Sequence, residues 1–200
     1  FNDLYYPNFG SDTFVPEQSE NFEIGLNATL GNTYLTVALF DNQLENLIQY
    51  NSSTFQTDQT AEVAIKGFEF SANTEVAGWD LSIAGSVIDP ENKANGKKLR
   101  RRAEQSMSFD ADYGFNNTTV GFTVRSESHR FDDAGNTVRL AGYTTSSLRA
   151  SYRLNNEWSL KAKVNNLTDK EYVTASSFSL GNYLSLGREA LITISYTPSL

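Results

Sequence analysis

The densest cluster of chemically capable side chains is Lys97-Lys98-Leu99-Arg100-Arg101-Arg102. Guanidinium groups donate forked hydrogen bonds to carboxylate, phosphate or amide oxygens. In an extended chain alternate residues point to opposite sides, so Arg101 would face one side of a wall and Arg100 and Arg102 the other. One side suits a ligand and the other anionic lipid head groups, while a solvated loop cluster is the remaining reading. Asp132, Asp133 and Asn136 offer oxygens of the kind calcium takes, yet no twelve-residue loop with a terminal Glu accompanies them, which predicts a polar turn. Asp110 and Asp112 share one face of a candidate strand. Their spacing alone permits a paired-carboxylate hydrolase, but they alternate with an apolar stripe as ordinary wet-face residues do.

The remaining inventory is sparse. With no Cys and the single histidine His129, disulfides, thiol catalysis, Cys-ligated zinc and multi-His metal sites are excluded. No nucleophile–base pair and no Gly-rich phosphate loop can be assembled. Sixteen basic against 24 acidic residues leave a charge of -8, which argues against a nucleic-acid partner because counterion displacement needs a basic face. Neither an enzyme nor a cofactor is expected.

The elements that position these residues follow a two-residue period. Phe22, Ile24, Leu26, Ala28 and Leu30 oppose Glu23, Gly25, Asn27 and Thr29, and similar alternation recurs over 79–87, 107–113, 119–125, 147–154, 158–165 and 189–196. That pattern predicts strands with one apolar and one wet side. Two less regular runs, around 34–50 and 61–75, bring the total to about nine strands without a convincing helix. Connections alternate between short ones (Gly31-Asn32, Ala77-Gly78, Asn116-Asn117, Asn155-Asn156) and long ones (about 51–59, 89–98, 128–140 and 168–182). Tyr34, Trp79, Tyr113 and Trp158 stand where strands meet the short turns, as an interfacial aromatic girdle would. Alternation alone would satisfy a soluble all-β module such as a carbohydrate-binding domain. The loop alternation and girdle favour an antiparallel up-and-down transmembrane β-barrel. Nine strands would start a chain on the long-loop side and end it on the other, so the expectation is a piece of a longer barrel.

Several motifs resemble those of the TonB-dependent outer-membrane receptors. Pro16-Glu17-Gln18-Ser19-Glu20-Asn21-Phe22-Glu23 is similar to their Pro-Glu-x-Ser-x-x-x-Glu strand start, and Ile65-Lys66-Gly67-Phe68-Glu69 to their Ile-Lys-Gly-Val-Glu strand. Asn166-Leu167-Thr168-Asp169-Lys170-Glu171-Tyr172 resembles their Asn-Leu-Phe-Asp-Lys-x-Tyr signature, and Gly187-Arg188 before a final alternating strand resembles their ending. The resemblance implies that residues 1–200 are the C-terminal portion, about nine strands, of a 22-stranded barrel whose plug domain lies outside the chain. Leu99-Arg100-Arg101-Arg102-Ala103-Glu104-Gln105 is similar to a Leu-Arg-Arg-Ala-x-Gln strand start of the cobalamin-transporting members. By that likeness Arg101 and Tyr183, four residues before Gly187, are expected ligand contacts, while Gly135 stands near the place of a loop Tyr.

The implied function is import of a bulky, scarce nutrient across the outer membrane of a Gram-negative bacterium. Cobalamin or another corrinoid is the first expected cargo and an iron–siderophore chelate the alternative. The implied partners are outer-membrane lipid, the TonB–ExbB–ExbD energy-transducing complex acting on a segment outside this chain, and the barrel-assembly machinery. That machinery reads a terminal aromatic residue in the family, where this chain has Tyr196 followed by Thr197-Pro198-Ser199-Leu200.

Overall fold

A computed structural model describes residues 2–51, 54–177 and 180–198. In chain order the elements are α1 (Asn2–Tyr5), β1 (Gln18–Leu30), β2 (Thr33–Asn51), β3 (Gln56–Val76), β4 (Trp79–Asn92), β5 (Lys97–Lys98), β6 (Gln105–Phe115), β7 (Thr118–Glu127), β8 (Arg130–Phe131), β9 (Arg139–Leu140), β10 (Tyr143–Arg153), β11 (Trp158–Asn165), β12 (Val173–Ser177), β13 (Gly181–Leu184) and β14 (Glu189–Tyr196). Nine strands make one sheet in the order β1-β2-β3-β4-β6-β7-β10-β11-β14, with the short β5 added beside β4. Every pair is antiparallel, so the chain meanders up and down. The sheet is open, with β1 and β14 as its edges.

All four expected short turns are present. At Ala77-Gly78 both residues have positive φ, 52° and 78°, the twist that joins adjacent antiparallel strands without splaying them. The long connections are more structured than the sequence suggests. β2 and β3 run on through most of the expected 51–59 loop, whose residues 52 and 53 lie outside the described set. β5 occupies the second connection, the β8–β9 pair the third and the β12–β13 hairpin the fourth.

Register explains the sorting of the side chains. Ile24, Leu39, Phe68 and Val87 are successive cross-strand partners. A parallel row runs Leu81, Ala111, Phe122, Leu148, Val164 and Ala190. Neighbouring apolar rows merge into one continuous face, where Phe22 is 70% and Ile192 72% exposed. At the long-loop end that face stops at Phe22, Asp41, Lys66 and Asp89, which share a row, with Lys66 Nζ 2.9 Å from Asp41. From Trp79 to Val87 the apolar stripe covers nine residues of β4, roughly 30 Å of strand, or about 20–25 Å of height after the tilt of a membrane barrel. Such a face needs a hydrocarbon solvent. A soluble sandwich would cover it with a second sheet about 10 Å away, whereas the long strands among the described residues make one layer.

The girdle expectation holds at three of four positions. Trp79 packs on Tyr113 at 5.0 Å and Trp158 on Tyr196 at 4.7 Å between centroids. Tyr34 departs from it, because its partners are Thr29 and Asn73 and it therefore belongs to the polar face. The one-turn α1 is the other departure from an all-strand reading.

Charge placed on the two faces should have opposite consequences. Ile83, midway along β4 between Ala72 and Phe109, becomes costly as Ile83→Arg, by about 2–4 kcal/mol for a cation near the bilayer midplane. Its polar-face neighbour Ser82→Arg should change stability by no more than about 0.5 kcal/mol. Denaturant titration of the full-length parent in lipid vesicles measures both, and equal costs would contradict the face assignment.

Candidate functional site

Expected ligand contacts Arg101 and Tyr183 both lie at the long-loop end, where the connections are knitted together. The basic run is not extended as the alternation argument supposed. Lys97 and Lys98 form β5 against Asn92 and Glu91, Leu99 is buried at 4% exposure, and Arg101 takes a left-handed φ of 56°. Lys98, Arg100 and Arg101 consequently find separate environments. Lys98 pairs with Asp89, and that bond, with Glu104 and Glu91 nearby, raises its pKa. Arg100 lies over the Tyr50 ring at 5.9 Å, and burial together with the Arg101 charge lowers its pKa. Tyr50 in turn stacks on Phe9 at 5.7 Å, and Phe9 O accepts from Thr57 N at 2.8 Å.

Arg101 is fixed from two directions. Its backbone N–H donates to Phe131 O at 2.6 Å, and its Nε and Nη2 donate to the two oxygens of Asp132 at 2.7 and 3.4 Å. The Asp132 side chain is 2% exposed and that of Arg101 45% exposed, so the pair has a buried acid beneath an accessible guanidinium. Further along the same turn, Asn136 Oδ1 accepts from Lys98 N at 2.7 Å and its Nδ2 donates to Lys98 O at 2.9 Å. Asp133 accepts from Thr137 N and Val138 N at 2.9 and 2.7 Å. Burial pushes the Asp133 carboxyl up, but these amide hydrogen bonds outweigh it and hold its pKa below the ordinary value. The three oxygen-bearing side chains thus build a polar turn.

Arg130 ties the β8–β9 hairpin to the next connection. Its guanidinium is buried, donates to Thr174 O at 3.2 Å and lies over Tyr143 at 5.8 Å. Tyr143 stacks face to face on Tyr172 at 3.8 Å. Tyr183 belongs to the β12–β13 hairpin, where its carbonyl accepts from Thr174 Oγ1 at 3.0 Å and its residue is 49% exposed. Among the described residues no hydrogen bond or ring contact joins Tyr183 to Arg101.

The signature around Asn166 proves to be loop closure. Asn166, at φ 49°, receives Lys170 N at 2.8 Å and donates to Lys170 O at 3.0 Å. Asp169 Oδ1 accepts from Arg188 N at 2.7 Å, beside Gly187 at φ 72°. Thus the two motifs fasten the ends of one long connection to each other.

The polar face carries its own network. Arg149 reaches Asp112 through two nitrogens and Asp110 at 3.3 Å, while Thr123 bonds to both Asp110 and Arg149. Gly121 leaves the space, since a Cβ there would collide with Asp112 Oδ1 and Arg149 Nε. Asp110 and Asp112 are therefore bound by one cation instead of flanking a substrate. Charge is also sorted across the wall: Glu23, Glu69, Glu75, Asp80, Asp110 and Asp112 occupy the polar face of β1 to β6, and Arg125, Arg149, Arg153, Lys161 and Lys163 that of β7 to β11. Glu127 and Glu189, at strand ends, are the exceptions.

A one-layer meander with an apolar outer face, short turns at one end and interlocked loops at the other is the wall of an outer-membrane-type β-barrel. The chain belongs to the TonB dependent receptor-like β-barrel family, whose model matches residues 1–167. It is 28% identical to the vitamin B12 transporter BtuB of Vibrio vulnificus over 98% of its own length and 32% of that protein. Likeness to the BtuB of Photobacterium profundum is 27% over 90% of this chain and 31% of that one. The chain thus spans about a third of the length of these relatives. Among solved structures, the ferric yersiniabactin uptake receptor FyuA of Yersinia pestis superposes with a TM-score of 0.80 at 18% identity, covering 92% of this chain and 30% of that one. The matched proteins are receptors and transporters, not enzymes, as the sequence led one to expect.

Two outcomes follow from the loop geometry. Arg101→Ala should leave the buried Asp132 carboxylate without its partner and lower the local opening free energy of 130–140 by on the order of 1–3 kcal/mol, read as faster amide exchange there. Because the folded pKa of Asp133 is depressed, its stabilising contribution is present above the unfolded value near 3.8 and fades as pH falls through the lower folded value. Protection of the Thr137 and Val138 amides should therefore persist at about pH 4 and be lost further down, and Asp133→Asn should remove that dependence.

Proposed function

We propose that residues 1–200 form the C-terminal portion of a TonB-dependent importer in the outer membrane of a Gram-negative bacterium, and that its cargo is cobalamin or a related corrinoid. The observation that carries the reading is the match of nearly the whole chain to two proteins named vitamin B12 transporters. Siderophore receptors share the fold at identities such as 18% and 24%, a likeness of the wall alone.

In this reading the long loops capture cargo from outside. Asp132 holds the Nε edge of Arg101, leaving other guanidinium N–H groups to donate to amide or phosphate oxygens of the cargo. Tyr183 offers an exposed ring and hydroxyl on the neighbouring hairpin. The polar face lines a lumen occluded by a plug domain outside this chain, and energy comes from the TonB–ExbB–ExbD complex acting on that missing part. Lipid covers the apolar face, which the barrel-assembly machinery inserts. A cobalamin site needs no resident cofactor.

Titration of cyanocobalamin against the full-length parent should give saturable binding. Arg101→Ala should weaken it about tenfold, equivalent to about 1.4 kcal/mol, with the barrel still assembled. Binding of a ferric siderophore in place of cyanocobalamin would transfer the assignment to the siderophore class. Vesicles holding residues 1–200 alone should show no cargo-specific flux.

A further inference from the structure

The polar face of the last strands holds two lysines that the loop site does not use. Lys161 and Lys163 project from β11 on the same side, two residues apart. Lys161 stands in one cross-strand row with Thr119, Ser151 and Thr193. Lys163 stands directly opposite Arg149. Like charges facing each other across a strand pair are destabilising. Arg149 is compensated by Asp110 and Asp112, whereas among the described residues neither lysine ammonium has a hydrogen bond or an ion pair. Both lysines, the three hydroxyl residues of that row, Arg149 and Asp112 line one depression of about 410 Å³, within the roughly 300–1,000 Å³ typical of small-ligand sites.

We propose that the Lys161–Lys163 depression is a binding site for a phosphate-class oxyanion on the lumen wall. Two ammonium groups and the hydroxyls of Thr119, Ser151 and Thr193 supply more donors than the two oxygens of a carboxylate use, and they suit the several acceptor oxygens of a phosphate group. The anion separates Lys163 from Arg149 electrostatically and gives the two exposed ammonium groups a counter-charge that none of the described residues supplies. The site stands whichever cargo the loops capture, so it can fail without the cobalamin reading failing, and the reverse.

The test uses the full-length parent in nanodiscs at low ionic strength, titrated with inorganic phosphate and, separately, with dimethyl phosphate, binding being followed by calorimetry and ³¹P line broadening. Saturable binding is expected that weakens with salt. Lys161→Gln/Lys163→Gln should lower the affinity roughly tenfold or more, through loss of charge-assisted hydrogen bonds. Ser151→Ala should lower it less, and Lys66→Gln, on the opposite face, not at all. Binding of both probes points to an esterified phosphate on a cargo, and binding of inorganic phosphate alone to the free ion. Unchanged affinity in the double lysine variant overturns the proposal. So does the absence of saturable binding, and if the double variant then also loosens the full-length fold, a carboxylate from elsewhere in the protein occupies the row.

Discussion

A peptide group in hydrocarbon must find its hydrogen-bond partner within the protein, because no water is there to supply one. Everything else in this chain depends on how the nine long strands meet that requirement. Their antiparallel ladder fixes register, and register fixes faces, since a slip of one residue would exchange every lipid-facing side chain for a lumen-facing one. Lys66 beside Asp41 and Trp79 beside Tyr113 mark where the ladder leaves and re-enters polar surroundings. Short turns such as Ala77-Gly78 are tolerated because they hold the register with the fewest residues.

At the long-loop end the constraint is relaxed and a different economy takes over. Loops there are stabilised by charge and aromatic contacts between successive connections: Arg100 with Tyr50, Arg101 with Asp132, Arg130 with the carbonyl of Thr174, Tyr143 with Tyr172. Each connection holds the next, so the rim is a linked series and not a set of independent flaps. The family signatures fit the same logic, with Asn166 and Asp169 serving as fasteners.

How much of this could be read from the residues varies with what each side of a strand faces. Phe22 to Leu30 and Trp79 to Val87 alternate cleanly because one side meets lipid and the other a polar lumen, and those strands were legible. β2 beyond Asp41 is not, since Asn42, Gln43 and Glu45 stand clear of the apolar band and lose the period that lipid imposes. Tyr34 misled for a related reason: β2 carries Ala38 and Phe40 on its polar side, so parity could be assigned only through its neighbours. Arg101 was singled out by its neighbours in sequence, but its left-handed backbone and its partner Asp132, 31 residues away, have no local signal. The Arg149 network was hidden for the same reason, as it joins strands that only the register brings side by side.

The sorting of acids to one part of the polar face and bases to the other gives the wall a gradient that runs around its circumference and not along its axis. Potential of that kind does little to pull an ion through the membrane. It exerts a torque on any dipolar solute at a given depth, turning its electronegative end toward β10 and β11 and its electropositive end toward β3 and β4. This stretch of wall therefore favours one orientation of any dipolar group that lies against it.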